Sequence, residues 1–341
     1  MIDPGPAPAI SVVIPSLNGA GRLPETLGAI ANQTVGAPVE VIVVDDGSSD
    51  PTARLAASAP MPWNAVVVVG HETPRGRAAA CNAGIRAAHA PTIVILDDDM
   101  TLDAGALEAH LRFHRENPRR AALGRIVQSG DPGADCFARF LAREEANRER
   151  QLEAARDDVP FALALTGHFS APRALLLEAG GYDERIRRYG YEDIELAFRL
   201  TQRGVRIVYL PQAGALHRAF MTDLDKYLER HVEVGAVARE LAGRYPDGPF
   251  RDYLRVDGPR SLGLDRVSAG LVGLRAVNRL LLTGWVRRAL GSRAGMGALR
   301  AMLRGAAIVR FDRLAHFGYH VARDVHYFQG YFGEGPVAPH G

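Results

Sequence analysis

Asp97, Asp98 and Asp99 directly follow the apolar run Ile93-Val94-Ile95-Leu96. The run reads as a buried strand, and carboxylates crowded at its exit gather more negative charge than a loop holds without compensation. Oxygen donors of this kind suit Mg²⁺ or Mn²⁺, ions that take few protein carboxylates and complete their shell with water and phosphate. On an extended segment Asp97 and Asp99 face one side and Asp98 the other. The competing reading is an acidic strand-end turn ahead of a helix near Asp103. A second acidic group, Tyr191-Glu192-Asp193-Ile194-Glu195-Leu196, opens a helical pattern. A carboxylate there can act as general base, or can simply suit a helix N-terminus. Glu195 has Arg199 at i+4 as an ion-pair partner.

Other runs must position these groups. Ser11-Val12-Val13-Ile14 ends at Pro15, Val41-Ile42-Val43-Val44 at Asp45 and Asp46, and Ala65-Val66-Val67-Val68-Val69 at Gly70. Helical patterns cover 22–33, 50–58 and 75–89 between them, with Ser49 or Asp50 as an N-cap. The alternation predicts an α/β fold, a mostly parallel sheet flanked by helices. Ligands of such sheets bind outside the carboxyl ends of the strands, so Asn18, Asp45, Asp46 and Asp97 to Asp99 are expected on one rim, where a nucleotide fits. Leu163 to Ser170 reads as a strand running into a small-residue turn, followed by a helix over 172–179 with Pro172 at its first position. Arg206-Ile207-Val208-Tyr209-Leu210 is a further strand, followed by His217.

Taken in order, several segments resemble the GT-A glycosyltransferases, specifically the family 2 nucleotide-sugar transferases, from Ile10 to about Phe220. They are Val13-Ile14-Pro15-Ser16-Leu17-Asn18, Val43-Val44-Asp45-Asp46-Gly47-Ser48-Ser49-Asp50, Asn82-Ala83-Gly84 and Leu96-Asp97-Asp98-Asp99, followed by Gly180-Gly181-Tyr182-Asp183-Glu184, Glu192-Asp193, Arg199, Gly204 and His217. The resemblance implies a Rossmann-like GT-A catalytic domain over 10–220, with a nucleotide-binding half (10–100) and an acceptor half (101–220). A flexible N-terminus (1–9), a helical C-terminal region (221–332) and a flexible tail (333–341) complete the expected organisation.

The resemblance also implies roles. Asp45 or Asp46 would accept the N–H of a uracil, and Pro15, Ser16, Asn18, Gly76, Asn82, Asp97 and Asp98 would line the nucleotide site. Asp99, Asp97 and His217 would hold Mg²⁺ or Mn²⁺. Asp193 would be the base of an inverting transfer to an acceptor hydroxyl, with Glu192 orienting that hydroxyl, while Gly167, His168, Tyr182 and Tyr191 would border the sugar and acceptor. Relatives commonly carry Arg immediately before the Asn of the Asn-Ala-Gly segment. This chain has Cys81 there, which leaves Arg75 or Arg77 to meet phosphate.

The 341 residues exceed one usual core and favour a large catalytic domain with a smaller appendage. With 41 Lys and Arg against 39 Asp and Glu, the chain is too near neutral for wholesale nucleic-acid binding. Cys81 and Cys136 show neither zinc spacing nor a secreted framework, and Met1 to Pro6 shows no signal-peptide pattern, so a cytoplasmic setting is expected. No run approaches the ~18 apolar residues of a spanning helix. Leu262 to Tyr331 interleaves arginines with apolar residues. It reads either as a packed bundle or dimer interface, or as a basic surface held at the inner face of a membrane.

The expected partners are a nucleotide-diphosphate sugar and a hydroxyl acceptor, whether glycan, lipid-linked or small molecule. A non-catalytic sugar-nucleotide or glycan-binding module, a retaining transferase and a nucleotidyltransferase remain alternatives. The absence of a Gly-x-Gly-x-x-Gly turn after the first strand argues against dinucleotide binding.

Overall fold

The structure, a computed structural model, describes residues 7–131, 135–218, 221, 223–254, 284–292, 294–295, 297–299, 301 and 312–333. Of the expected flexible ends, 1–9 and 333–341, all but 7–9 and 333 lie outside the described residues, as does half of the basic 262–331 stretch. The chain forms two units. The first comprises Met1–Gly130, Asn147–Arg187 and Glu192–Phe220, and the second Asp131–Ala146, Arg188–Tyr191 and Met221–Gly341.

The first unit is built on an eight-stranded sheet in the order β3-β2-β1-β4-β7-β6-β8-β5. Its strands are β1 (Ile10–Ser16), β2 (Val39–Asp45), β3 (Val67–Gly70), β4 (Thr92–Leu96), β5 (Met100–Leu102), β6 (Ala121–Gln128), β7 (His168–Pro172) and β8 (Ile207–His217). β1 pairs in parallel with β2 and β4, and β2 with β3, so Ser16, Asp45 and the residues after Leu96 end on one edge. β7 runs antiparallel to β4 and β6, and β5 antiparallel to β8. Apolar residues alternate between the faces: Val13, Ile42 and Ile95 join one core, and Val12, Ile14, Val43 and Val94 the other. That double burial explains the continuous hydrophobic runs.

Helices α1 (Leu23–Ala31), α2 (Thr52–Ala57), α3 (Arg77–Ala87), α4 (Ala106–Glu116), α6 (Arg173–Glu178) and α7 (Glu192–Gln202) belong to this unit. α5 (Cys136–Ala154) begins in the second unit. Pro51 rather than Ser49 or Asp50 is the N-cap residue of α2, with Asp50 Oδ1 accepting from Thr52 N at 3.1 Å. The strand expected over Leu163 to Ser170 is displaced. A single 3₁₀ turn covers Phe161–Leu163, a loop carries Thr166 and Gly167, and the strand starts at His168, where pairing with Leu96 begins. Pro172 closes that strand and caps α6 instead of opening the helix.

The second unit contains α8 (Leu224–Arg244), α9 (Gly248–Tyr253), α10 (Gly284–Gly291) and α11 (Asp312–Phe332). Leu228 packs with Val321, Ala322, Val325 and Phe328, while Phe137 and Phe140 cluster with Tyr319. This aromatic packing draws residues 131–146 into the second unit, so the division is not one cut at residue 220. Among the described residues no helix is long and apolar enough to cross a membrane.

Candidate active site

Alternation along the segment after β4 decides the fate of the three aspartates. Asp98 is buried and turned inward, its oxygens taken by Arg22 Nε (3.1 Å), Arg22 Nη2 (2.9 Å) and Ser16 Oγ (2.5 Å). Asp98 and Ser16, expected at the nucleotide, instead brace the loop after β1 against α1. Asp97 and Asp99 are half-buried on the other side.

Asp99 Oδ2 lies 3.3 Å from His217 Nε2, and His217 Nδ1 lies 2.8 Å from Gln128 Oε1. The carbonyl oxygen of Gln128 can only accept, so His217 donates to it through Nδ1, and this orients the ring with Nε2 facing Asp99. Asp99 Oδ1 is buried without a hydrogen-bond partner. Burial works against the charge of Asp99, but the His217 contact and the Arg22 cation hold its carboxyl below the usual range. An orphaned carboxylate oxygen beside an oriented imidazole fits a divalent cation, and no pattern of residue types pointed to Gln128.

The second acidic set meets the first through Arg77. Its guanidinium lies 2.7 Å from Asp97 Oδ1 and 3.7 Å from Glu192 Oε1, and contacts Thr166 Oγ1 and the Thr166 carbonyl oxygen at 3.3 Å each. Thr166 N donates to Asp193 Oδ2 at 3.2 Å, and Ile194 N donates to Asp193 Oδ1 at 2.8 Å. Asp97, Arg77, Thr166, Glu192 and Asp193 thus form one connected group. Burial, and for Glu192 the Asp193 charge, push both carboxyls up, while Arg77 opposes the shift. Glu192 Oε2 is buried without a hydrogen-bond partner. Gly167 supports the group from below: its backbone oxygen accepts from Asp97 N at 3.0 Å, and a Cβ there would stand 2.7 Å from Asp97 Oδ2.

The other expected residues divide. Asn18 lies exposed at φ 50°, its Oδ1 accepting from Ser49 N at 2.9 Å, and Pro15 is half-buried beside it. Asp46 is buried and occupied by His71 Nδ1 (2.6 Å), Arg75 N (3.0 Å) and Gly76 N (2.8 Å). Asp45 is half-buried and accepts from Ser48 N at 3.0 Å, so of the pair Asp45 is the one open to a base. Gly76 is committed to Asp46 and to capping α3.

Asn82 does not face a nucleotide. It clamps Tyr182 through both backbone polar groups, accepting from Tyr182 N at 2.7 Å and donating to the Tyr182 oxygen at 2.9 Å. Gly181 (φ 70°) leaves the room this clamp needs, since a Cβ would strike Asn82 Oδ1. Gly84 similarly lets α3 approach Val13 of β1. Tyr182 is buried with its hydroxyl on Thr166 Oγ1 at 3.1 Å, which removes it as a sugar-stacking face. His168 is fully buried and points to His110, with the ring nitrogens 2.9 Å apart, so it faces the core and not the sugar. Tyr191 belongs to the second unit and adopts φ 70° directly before Glu192. Its hydroxyl lies 3.3 Å from that of Tyr327. The i+4 pair forms: Arg199 grips Glu195 at 2.7 Å and donates to the Gly181 oxygen at 2.7 Å, tying α7 to the Gly180-Gly181 turn.

A sequence model described as glycosyl transferase family 2 matches residues 11–170. An uncharacterized glycosyltransferase of Mycobacterium bovis is 39% identical over 208 residues, which cover 59% of this chain and 83% of that protein. The chain belongs to glycosyl transferase family 2. Within the family, the validoxylamine A glucosyltransferase of Streptomyces hygroscopicus subsp. jinggangensis is 27% identical over 258 residues, covering 66% of this chain. This chain spans only 61% of that relative's length. A mannosyltransferase of Pyrobaculum calidifontis, solved with GDP-Man and Mn²⁺, superposes with a TM-score of 0.57 at 20% identity, covering 94% of this chain and 87% of the other. The mixed, mostly parallel sheet flanked by helices is therefore the GT-A fold of this family.

Proposed function

We propose that this chain is an inverting glycosyltransferase that moves a sugar from a nucleoside-diphosphate donor, with uridine diphosphate as the first-choice leaving group, to an acceptor hydroxyl. The observation that carries the reading is Arg77 standing between Asp97 and Glu192, which joins the strand-end carboxylates to the helix α7 carboxylates 95 residues further along the chain. Support also comes from the structurally similar mannosyltransferase solved with GDP-Man and Mn²⁺.

Asp193 takes the acceptor proton as the hydroxyl oxygen bonds to the anomeric carbon. The bond from that carbon to the diphosphate oxygen breaks, and its electron pair leaves with the diphosphate. Burial makes Asp193 a stronger base than a free carboxylate, and the Thr166 N–H holds it in place. Glu192 orients the acceptor hydroxyl. Asp45 accepts from the base, and Arg77 sets the charge around Asp97. Asp99 and His217 would hold Mg²⁺ or Mn²⁺, which offsets negative charge on the diphosphate. Polysaccharide or glycoconjugate assembly, in the cytoplasm or at the inner membrane face, is the setting we assign. Peripheral contact there draws support from α10, whose Trp285 is 73% exposed.

A panel of sugar nucleotides, screened for turnover with Mn²⁺ or Mg²⁺, identifies the donor. Asp193→Asn is then expected to retain calorimetric donor affinity and to lose about 10²–10⁴-fold in transfer rate. Transfer within a few-fold of wild type would place the base elsewhere. Donor binding by the wild-type chain with no transfer to any acceptor would return it to a binding module.

A further inference from the structure

Within the second unit, α5 carries Phe140 and Glu144 on one helical face, and α11 carries His316 and His320 at the same i, i+4 spacing. Glu144 Oε1 lies 3.8 Å from His316 Nε2 and 3.6 Å from His320 Nε2, and the two Nε2 atoms are 3.1 Å apart. Among the described residues, this is where three such ligand atoms converge, all within 4.8 Å of one another. The first two separations exceed hydrogen-bond reach. They suit a different occupant. An ion bound about 2.0–2.1 Å from each donor at a tetrahedral angle sets those donors roughly 3.3 Å apart. The observed spacings reach that geometry by shifts of about half an ångström or less.

We propose that Glu144, His316 and His320 bind a divalent transition-metal ion of the zinc class, which ties α11 to α5 within the second unit. Two imidazoles and one carboxylate favour such an ion over Mg²⁺ or Mn²⁺, and three protein ligands leave a further position for water. Arg323 Nη1 stands 3.6 Å from Glu144 Oε2, so the carboxylate offers Oε1 to the imidazoles. Phe140 closes the apolar side, its ring centroid 5.2 Å from each imidazole. The donor-site residues Asp99 and His217 belong to the first unit, so the two ions are separable by mutation.

The test uses the full chain carrying Asp99→Asn, stripped with a chelator and titrated with Co²⁺ alone, read by its visible d–d absorption, and with Zn²⁺ against a chromophoric chelator. The expected result is one tight ion per chain, a rise in thermal midpoint with Zn²⁺, and loss of both on adding His316→Gln or Glu144→Gln. The affinity should fall by more than the ~10–100-fold typical of an outer-shell change. Stripped Asp99→Asn protein that takes up less than one ion per chain overturns the proposal, and this readout stands even if the double variants do not fold. Double variants that fold and bind Co²⁺ like their parent overturn it as well.

Discussion

Arg77 holds a position that ordinary surface arginines do not, with Asp97 on one side and Glu192 on the other. Its charge lowers the proton affinity of Glu192 and Asp193, whereas burial raises it. A base works only when deprotonated, so activity rises with pH through the titration of this pair. Arg77→Gln removes the opposing cation and is expected to move the acid limb of the turnover profile to higher pH, with the largest loss of rate on the acid side. A limb left in place, or moved to lower pH, would separate Arg77 from the base. The alternation that put Asp97 and Asp99 on one side and Asp98 on the other was legible in the sequence, because a strand exit has a period of two, but the inward turn of Asp98 onto Ser16 and Arg22 was not. Asn82, Tyr182 and His168 were not. An amide, a phenol and an imidazole suit a ligand and a buried backbone clamp equally well, and only the fold shows Asn82 spent on Tyr182 and His168 spent on His110.

Helix α4 packs on the sheet through a buried polar chain: His168 Nε2 meets His110 Nε2, His110 Nδ1 meets Ser170 Oγ at 2.8 Å, and His114 Nε2 meets Ser170 Oγ at 2.7 Å. Burial lowers the pKa of all three histidines, to about 4 for His114 and His168, so the folded state favours neutral rings. Their contribution to stability is therefore full above the ordinary value of 6.5 and is lost as the pH falls toward 4. At ~1.36 kcal/mol per pH unit, His114 and His168 each withdraw about 2 kcal/mol by pH 5. Urea unfolding followed from pH 7 to pH 5 should show this slope, and His114→Gln should reduce it by about one proton's worth. An unchanged slope would mean that His114 titrates normally. β1, β2 and β4 were legible from their doubly buried β-branched runs, and β3 from a valine run that is only partly buried. β5 and β6 were not, since Met100–Leu102 is too short and Ala121–Gln128 mixes Gly and Arg with its apolar residues. The highly charged α5 hides its packing face in the few aromatic residues at its start.

The protein as a whole divides unequally between a family 2 sheet and a helical unit whose described parts hold their own apolar and aromatic core. In that unit α10, Gly284–Gly291, is short, and its sequence sets Trp285 beside Arg287 and Arg288. A tryptophan at 73% exposure costs solubility without returning packing energy, whereas an indole suits the boundary between lipid headgroups and acyl chains. Electrostatic attraction of nearby arginines to an anionic leaflet adds about 1 kcal/mol per charge and decays within a Debye length. The full chain should therefore sediment with phosphatidylserine vesicles at low salt, release as salt is raised, and ignore neutral vesicles. Trp285→Ala should weaken this partitioning while leaving donor turnover in solution intact. Vesicle binding that is equal for the variant and the wild type would take α10 out of the contact. No sedimentation at any salt would leave the helical unit as a packing element, with acceptors reached in solution.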